Sequence, residues 1–316
     1  CFGNRGFFPE SLIAAAKSEV TAALKSAGIE SFTSPETLTQ FGAVGNGVEG
    51  RRYAEWLADR KGEYDGALLV LANFGDENGA AEALRDCGTP IYVLAYPDEP
   101  GNMGFSSRRD AFCGKLSVMD VFRQYGIRYT AWPPHTLSPA NPEFVRQMQL
   151  FAGVCRIVKG VRRARYGAVG ARPTAFKTIR FDEMALQQAG ITTEAFDNSD
   201  LLLRVQKLAD DSPEVREKIR VFETYADFSR VPEDRMRTLA KTSVALDNLI
   251  QEYALDGIAF RCWSDLQETL RISACAILGE LNNRGIPAAC ETDVCNTLAM
   301  HALTLASGEP PACLDW

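Results

Sequence analysis

Two short, unbroken apolar runs constrain this chain more than anything else in it. Gly66 to Ala72 (Gly-Ala-Leu-Leu-Val-Leu-Ala) and Pro90 to Ala95 (Pro-Ile-Tyr-Val-Leu-Ala) have no polar alternation. A strand half open to water alternates apolar and polar residues, whereas a strand covered on both faces does not. The segments around these runs carry helical spacing. Pro9 to Gly28 has apolar positions at Leu12, Ile13, Ala16, Val20 and Leu24, and Tyr53 to Lys61, Gly79 to Cys87 and Ser106 to Tyr125 also read as helices. A short strand is expected at Arg128 to Ala131. Strand and helix in alternation imply an α/β fold, a doubly wound, mainly parallel sheet.

The pattern breaks at Pro133-Pro134 and again between Pro139 and Pro142. A long helix is expected from Pro142 to Ala164, bridging two domains, 1–163 and 164–316. At 316 residues and 46% hydrophobic, the chain is long enough for two cores. The second half opens with a strand at Tyr166 to Val169. Helices follow at Asp182 to Ala189, Glu214 to Tyr225 and Glu233 to Tyr253, then a strand at Asp256 to Cys262 and one helix over Ser264 to Leu281.

The last quarter is the most informative chemically. A strand from Ile286 to Cys290 ends in Glu291, Asp293 caps a helix from Val294 to Ala306, and a second strand ends at Asp315. Such a βαβ unit is nearly always right-handed with parallel strands. As neighbours, those strands would bring Glu291 and Asp315 to one carboxyl edge, roughly 5 Å apart, where ligands of open α/β sheets bind. Two converging carboxylates suit a hard divalent cation or an acid/base pair. Glu291 also reads as a first-turn acid that favours the helix dipole.

The other strand ends supply further candidates. Gly3-Asn4-Arg5-Gly6 offers Arg5 between glycines that permit close backbone approach. Arg261-Cys262-Trp263-Ser264-Asp265 offers Trp263 and Asp265 as substrate contacts, with Asp265 equally a helix cap. Gly75 to Gly79 and Gly167 to Gly170 fit neither dinucleotide nor phosphate-loop spacing, so no nucleotide cofactor is expected.

Composition removes other classes. A net charge of −7 argues against a general nucleic-acid binder, and no apolar run reaches the length of a membrane span. Nine scattered cysteines with no CxxC pair read as apolar core residues of a reducing cytoplasm. Two histidines, His135 and His301, are too few for a histidine-rich metal site, and His301 reads as a packed or surface residue. The start at Cys1 and the stop at Trp316, directly after Asp315, suggest a fragment, or a site closed by another chain.

Glu291-Thr292-Asp293, Leu298-Ala299-Met300 and Leu314-Asp315 together resemble the L-fucose isomerase family and, more distantly, the L-arabinose isomerases. Gly3 to Pro9, Arg108 to Gly114 and Gly167 to Pro173 resemble other loops of that family, while Thr297 stands where relatives often have glycine. The resemblance implies a metal-dependent aldose–ketose isomerase acting on a free sugar through an enediol, with an L-fucose, D-arabinose or L-arabinose-like substrate. It implies Mn²⁺ held by Glu291 and Asp315, with a histidine from a C-terminal domain beyond residue 316. It also implies Arg5 reaching a sugar in a neighbouring subunit of a cytoplasmic trimer or hexamer. The rival expectation is a hinged sugar-binding or regulatory module without turnover.

Overall fold

The computed structural model describes residues 1–104 and 106–313, the side chain of Asp265 excepted. The chain is α/β and divides into two compact units, Cys1–Val158 and Lys159–Trp316. The first holds β1 (Phe2–Gly3), α1 (Ser11–Ser26), α2 (Gly47–Ala58), β2 (Ala67–Leu71), α3 (Glu77–Leu84), β3 (Ile91–Ala95) and α4 (Ala111–Gln124), and most of α5 (Pro142–Val161). Its sheet is parallel, in the order β1-β2-β3.

The two apolar runs form β2 and β3, and their side chains divide by the period of two. Val70, Tyr92 and Leu94 pack with Ile13, Val20, Phe144 and Met148 from α1 and α5. Leu69, Leu71, Ile91 and Val93 pack on the opposite face with Tyr53, Leu57, Leu84 and Phe122 from α2, α3 and α4. Covering both faces is what excludes polar residues from these strands.

Three boundaries in this unit differ from the sequence expectation. Helix α2 begins at Gly47 rather than near Tyr53, because the Asn46 side chain accepts from the amides of Val48 and Glu49. Helix α4 begins at Ala111 rather than Ser106. There the Asp98 carboxylate takes the amides of Arg109 and Asp110, and Asp110 is left-handed at φ 49°. The strand expected at Arg128 to Ala131 is a single bridge, Tyr92 to Thr130.

The second unit contains β4 (Arg165–Val169), α6 (Glu183–Gln188), β5 (Thr192–Phe196), α7 (Asn198–Lys207), α8 (Pro213–Tyr225), α9 (Glu233–Tyr253) and β6 (Gly257–Phe260). It continues with α10 (Asp265–Leu270), α11 (Cys275–Asn283), β7 (Ala288–Cys290) and α12 (Val294–Ser307). Its sheet is also parallel, in the order β5-β4-β6-β7. Ile258, Phe260 and Val169 face Leu201, Phe222, Leu246, Ile277 and Leu281. Tyr166, Ala168 and Ala259 face Val294 and Leu298 on the other side.

The helix expected over Ser264 to Leu281 is in fact two. Arg271 is left-handed at φ 56° and ends α10. In an unbroken helix Ile272 would lie about 120° around the axis from Leu266. The break lets Leu266, Ile272, Ala274 and Ile277 all enter the same core. Strand β5 and helix α7 had no strong signature, since Thr192 to Phe196 is a half-exposed edge strand.

Lys218 is almost fully buried between helices, matched by Asp247 at 2.7 Å and Glu280 at 3.4 Å. Arg284 completes the group through Glu280 at 2.8 Å. Two cations facing two carboxylates keep the buried charge neutral; removing one member of such a group typically costs about 3–5 kcal/mol.

Helix α4 is seated directly on the end of β2. A Cβ added at Gly114 would lie 1.6 Å from the Phe74 carbonyl oxygen. Gly114→Ala therefore forces backbone movement rather than a rotamer change. It is expected to destabilise the first unit by about 1–3 kcal/mol, the usual range for overpacking, read as a lowered urea midpoint of its unfolding transition.

Candidate functional site

In the second unit the chain passes from β4 outward to β5, then returns to β6 on the other side of β4. The order reverses between β4 and β6, and a crevice outside the carboxyl ends of such strands is where open α/β sheets bind ligands. Register places Val169 beside Phe260, and Phe260 beside Cys290. The residues that follow, 170–172, 261–263 and 291, therefore leave the sheet side by side.

Gly170 is left-handed at φ +85°, and a Cβ there would fall 2.7 Å from the Arg261 Cβ and 2.5 Å from the Asn198 Oδ1. Only glycine fits so tight a crossing. Arg261 donates to the Ala171 carbonyl at 3.0 Å and the Trp263 carbonyl at 3.2 Å, tying the two loops together. Arg172 donates to the carbonyls of Pro173 and Phe176 at 3.0 and 3.1 Å. The Phe176 ring then stacks on Trp263, centroids 5.6 Å apart and planes 13° from parallel. Trp263 remains 47% exposed, an aromatic surface at the strand ends. Asp265 opens α10 beside it.

Glu291 directly follows β7. It and Thr292 are both left-handed, at φ 60° and 64°, and Asp293 then caps α12 by accepting the Asn296 amide at 2.9 Å. The cap expected at Asp293 is therefore present. The Glu291 Oε2 is shielded from solvent, while Oε1 lies 3.5 Å from the Cys262 Sγ. The Cys262 thiol is pushed far up, first by its hydrogen bond to Cys290, then by burial and the Glu291 charge. The second carboxylate of the expected pair, Asp315, lies outside the described residues, and residues 311–313 before it form no strand. Among the described residues no three His, Cys, Asp or Glu side chains converge as a metal site. A hard, partly shielded carboxylate oxygen on Glu291 fits a divalent cation.

Arg5 belongs to the first unit, at the carboxyl end of β1. It donates to the Gly75 carbonyl at 2.9 Å, pairs with Glu77, and lies 4.5 Å over the Phe74 ring. Below it Asn73 donates to Asn4 at 2.7 Å. Arg109 donates to the Ala72 carbonyl at 2.9 Å, stacks over Tyr96 and faces Glu99 at 3.6 Å. A pocket of about 210 Å³ opens here among Leu12, Glu99, Asn102, Ser107 and Arg109. Sequence reasoning found Arg5 but not its partner Glu77, which the apolar pattern leaves unremarked in the first turn of α3.

His301 is no edge residue. Its Nδ1 lies 2.8 Å from the Tyr166 hydroxyl, near the amino end of β4, and burial lowers its pKa. No helix among the described residues is long and apolar enough to cross a membrane.

The class follows from comparison with known proteins. A model of the "fucose/sulfoquinovose isomerase, N-terminal domain" matches residues 1–162, half of the chain, and the chain belongs to that family. Its relatives include the sulfoquinovose isomerase of Priestia aryabhattai, 27% identical over 251 residues, covering 78% of this chain and 54% of the relative. The sulfoquinovose isomerase of Alkalicoccus urumqiensis is 26% identical over 292 residues, covering 90% of this chain and 59% of the relative. That of Clostridium sp. (strain MSTE9) is 23% identical over 249 residues, 77% and 54% respectively. The chain thus spans little more than half the length of these curated relatives.

The same edge of the first unit carries one strongly perturbed base. Lys115 is 2% exposed and its ammonium donates to the His135 carbonyl at 2.9 Å. Burial lowers its pKa to about 8. Between that value and the unfolded value of 10.5 the unfolded chain binds the extra proton, so stability rises with pH across this window. The first unit should gain stability from pH 8 to about 10.5, and Lys115→Met should flatten that slope in chemical unfolding at fixed ionic strength.

Proposed function

We propose that the protein is a metal-dependent aldose–ketose isomerase acting on a free sugar through an enediol. The observation that carries this reading is Glu291. In a chain of this family it leaves β7 beside the reversal of strand order, its carboxylate partly withdrawn from water. Glu291 and Asp315 would hold a divalent cation, Mn²⁺ by the family resemblance, completed by a histidine beyond residue 316. When bound, the cation supplies Lewis-acid polarisation of the sugar's carbonyl and hydroxyl oxygens.

The chain's own residues do the rest. A carboxylate at this edge takes the proton from C2 and returns it to C1, while the hydroxyl proton moves from O2 to O1. Aldose becomes ketose with no net change of atoms or electrons. The exposed Trp263 face, backed by Phe176, suits the apolar C–H face of a sugar. Asp265 opens the adjoining helix and would accept from a sugar hydroxyl. Arg5 would reach a sugar bound by a neighbouring subunit of a closed homo-oligomer. Its pairing with Glu77 and, at 3.9 Å, Asp76 leaves no spare positive charge, which suits a hydroxyl rather than an anion.

Sulfoquinovose, a sulfonated hexose for which the relatives are named, is the first substrate we propose, ahead of L-fucose, D-arabinose and L-arabinose. A cytoplasmic location suits a chain with free cysteines throughout its described part.

The test is ketose formation from these aldoses by the full-length protein, with Mn²⁺ and with EDTA. Product in Mn²⁺ and none in EDTA is expected. Glu291→Gln should lower turnover by about 10²–10⁴-fold, the usual contribution of a positioned acid–base group. Unchanged turnover in that variant sinks the mechanism, and sugar binding without turnover in the wild type would make this a binding module.

A further inference from the structure

The Glu291 carboxylate has a neighbour that the proposed chemistry does not use. Cys262 lies two residues past the end of β6 and Glu291 one past the end of β7, on adjacent strands whose ends are aligned through Phe260 and Cys290. The Cys262 Sγ stands 3.5 Å from the Glu291 Oε1, within reach of a thiol hydrogen bond. A carboxylate cannot donate, so the thiol must, and it must be protonated to do so. The surroundings favour that form. Cys262 is only 6% exposed, and burial favours an uncharged side chain.

The backbone also needs such a restraint. Glu291 and Thr292 are consecutive left-handed residues, after which the capped start of α12 fixes the chain. Backbone direction is thereby set, but a glutamate has three further torsions. A donor from the neighbouring strand can hold the carboxylate in one orientation.

We propose that Cys262 is a positioning residue for the isomerase site: its thiol donates to the Glu291 Oε1 and presents that carboxylate to the cation and the sugar. The inference rests on the metal-site reading of Glu291. Groups that orient a metal-binding carboxylate in this way typically change metal affinity by about 10- to 100-fold when removed.

The competing role is packing, because Cys262 also belongs to the main apolar cluster of the second unit. The two roles order the variants oppositely. In an apolar packing position, alanine is tolerated better than serine, whose hydroxyl is costly to bury. For a donor, serine replaces the S–H and alanine does not.

The experiment measures Mn²⁺ affinity by electron paramagnetic resonance titration of the full-length wild type, Cys262→Ala, Cys262→Ser and Glu291→Gln, with kcat and KM alongside. Cys262→Ala should weaken Mn²⁺ binding by about 10- to 100-fold and lower kcat more than it raises KM. Cys262→Ser should recover most of that loss. Alanine at wild-type affinity and turnover overturns the proposal, as does serine no better than alanine. Glu291→Gln separates this failure from failure of the underlying reading. If it binds Mn²⁺ as the wild type does, the metal site is elsewhere and both readings fall; if it alone loses the metal, only the role of Cys262 falls.

Discussion

Parallel pairing is the constraint from which the rest of the molecule follows. When every strand of a sheet runs the same way, the chain must leave each one at the same edge. In the second unit Val169, Phe260 and Cys290 stand in register across three strands. Whatever comes next in sequence is therefore gathered into one row, although Gly170 and Glu291 are 121 residues apart. The glycine at 170, the tie from Arg261 to Ala171 and the capped start of α12 each solve the local problem of turning away from that crowded edge.

Where apolar side chains decided the outcome, the structure could be read from the residues. Strands β2, β3 and β6 are covered on both faces and declare themselves by unbroken apolar runs, and α9 runs over the expected Glu233 to Tyr253. What escaped was decided by single hydrogen bonds or by tertiary packing. One Asn46 side chain moved the start of α2, one Asp98 carboxylate delayed α4, and Arg271 broke a helix so that Ile272 could reach the core. Strand β5 lies at the sheet edge with Thr192 and Thr193 half exposed, so it carries no run to find. Of the candidate site, Glu291 and its cap were legible because a strand, an acid and an Asx cap occur in order. The thiol contact to Glu291 was not, because Cys262 belongs to a different strand and meets it only through register.

The two edges handle charge differently. In the first unit the arginines are each backed by a carboxylate: Arg5 by Glu77, Arg108 by Asp110, Arg109 by Glu99. These pairs are partly exposed, where a single ion pair contributes only about 0–1 kcal/mol, so they orient side chains more than they stabilise the fold. In the second unit Arg172 and Arg261 donate to backbone carbonyls, which shapes loops rather than neutralising charge.

The turn at Glu291-Thr292 has a consequence for how this protein can change. Side-chain-bearing residues in the left-handed region cost on the order of 1–2 kcal/mol each relative to their ordinary conformation, and glycine escapes that cost. A chain shaped by thermal robustness alone would place glycine at both positions. This one places a glutamate and a threonine there, so it sits below the robustness its own backbone permits. Consensus-style stabilisation aimed at this turn would succeed as protein engineering and would remove the carboxylate on which the proposed isomerase chemistry rests.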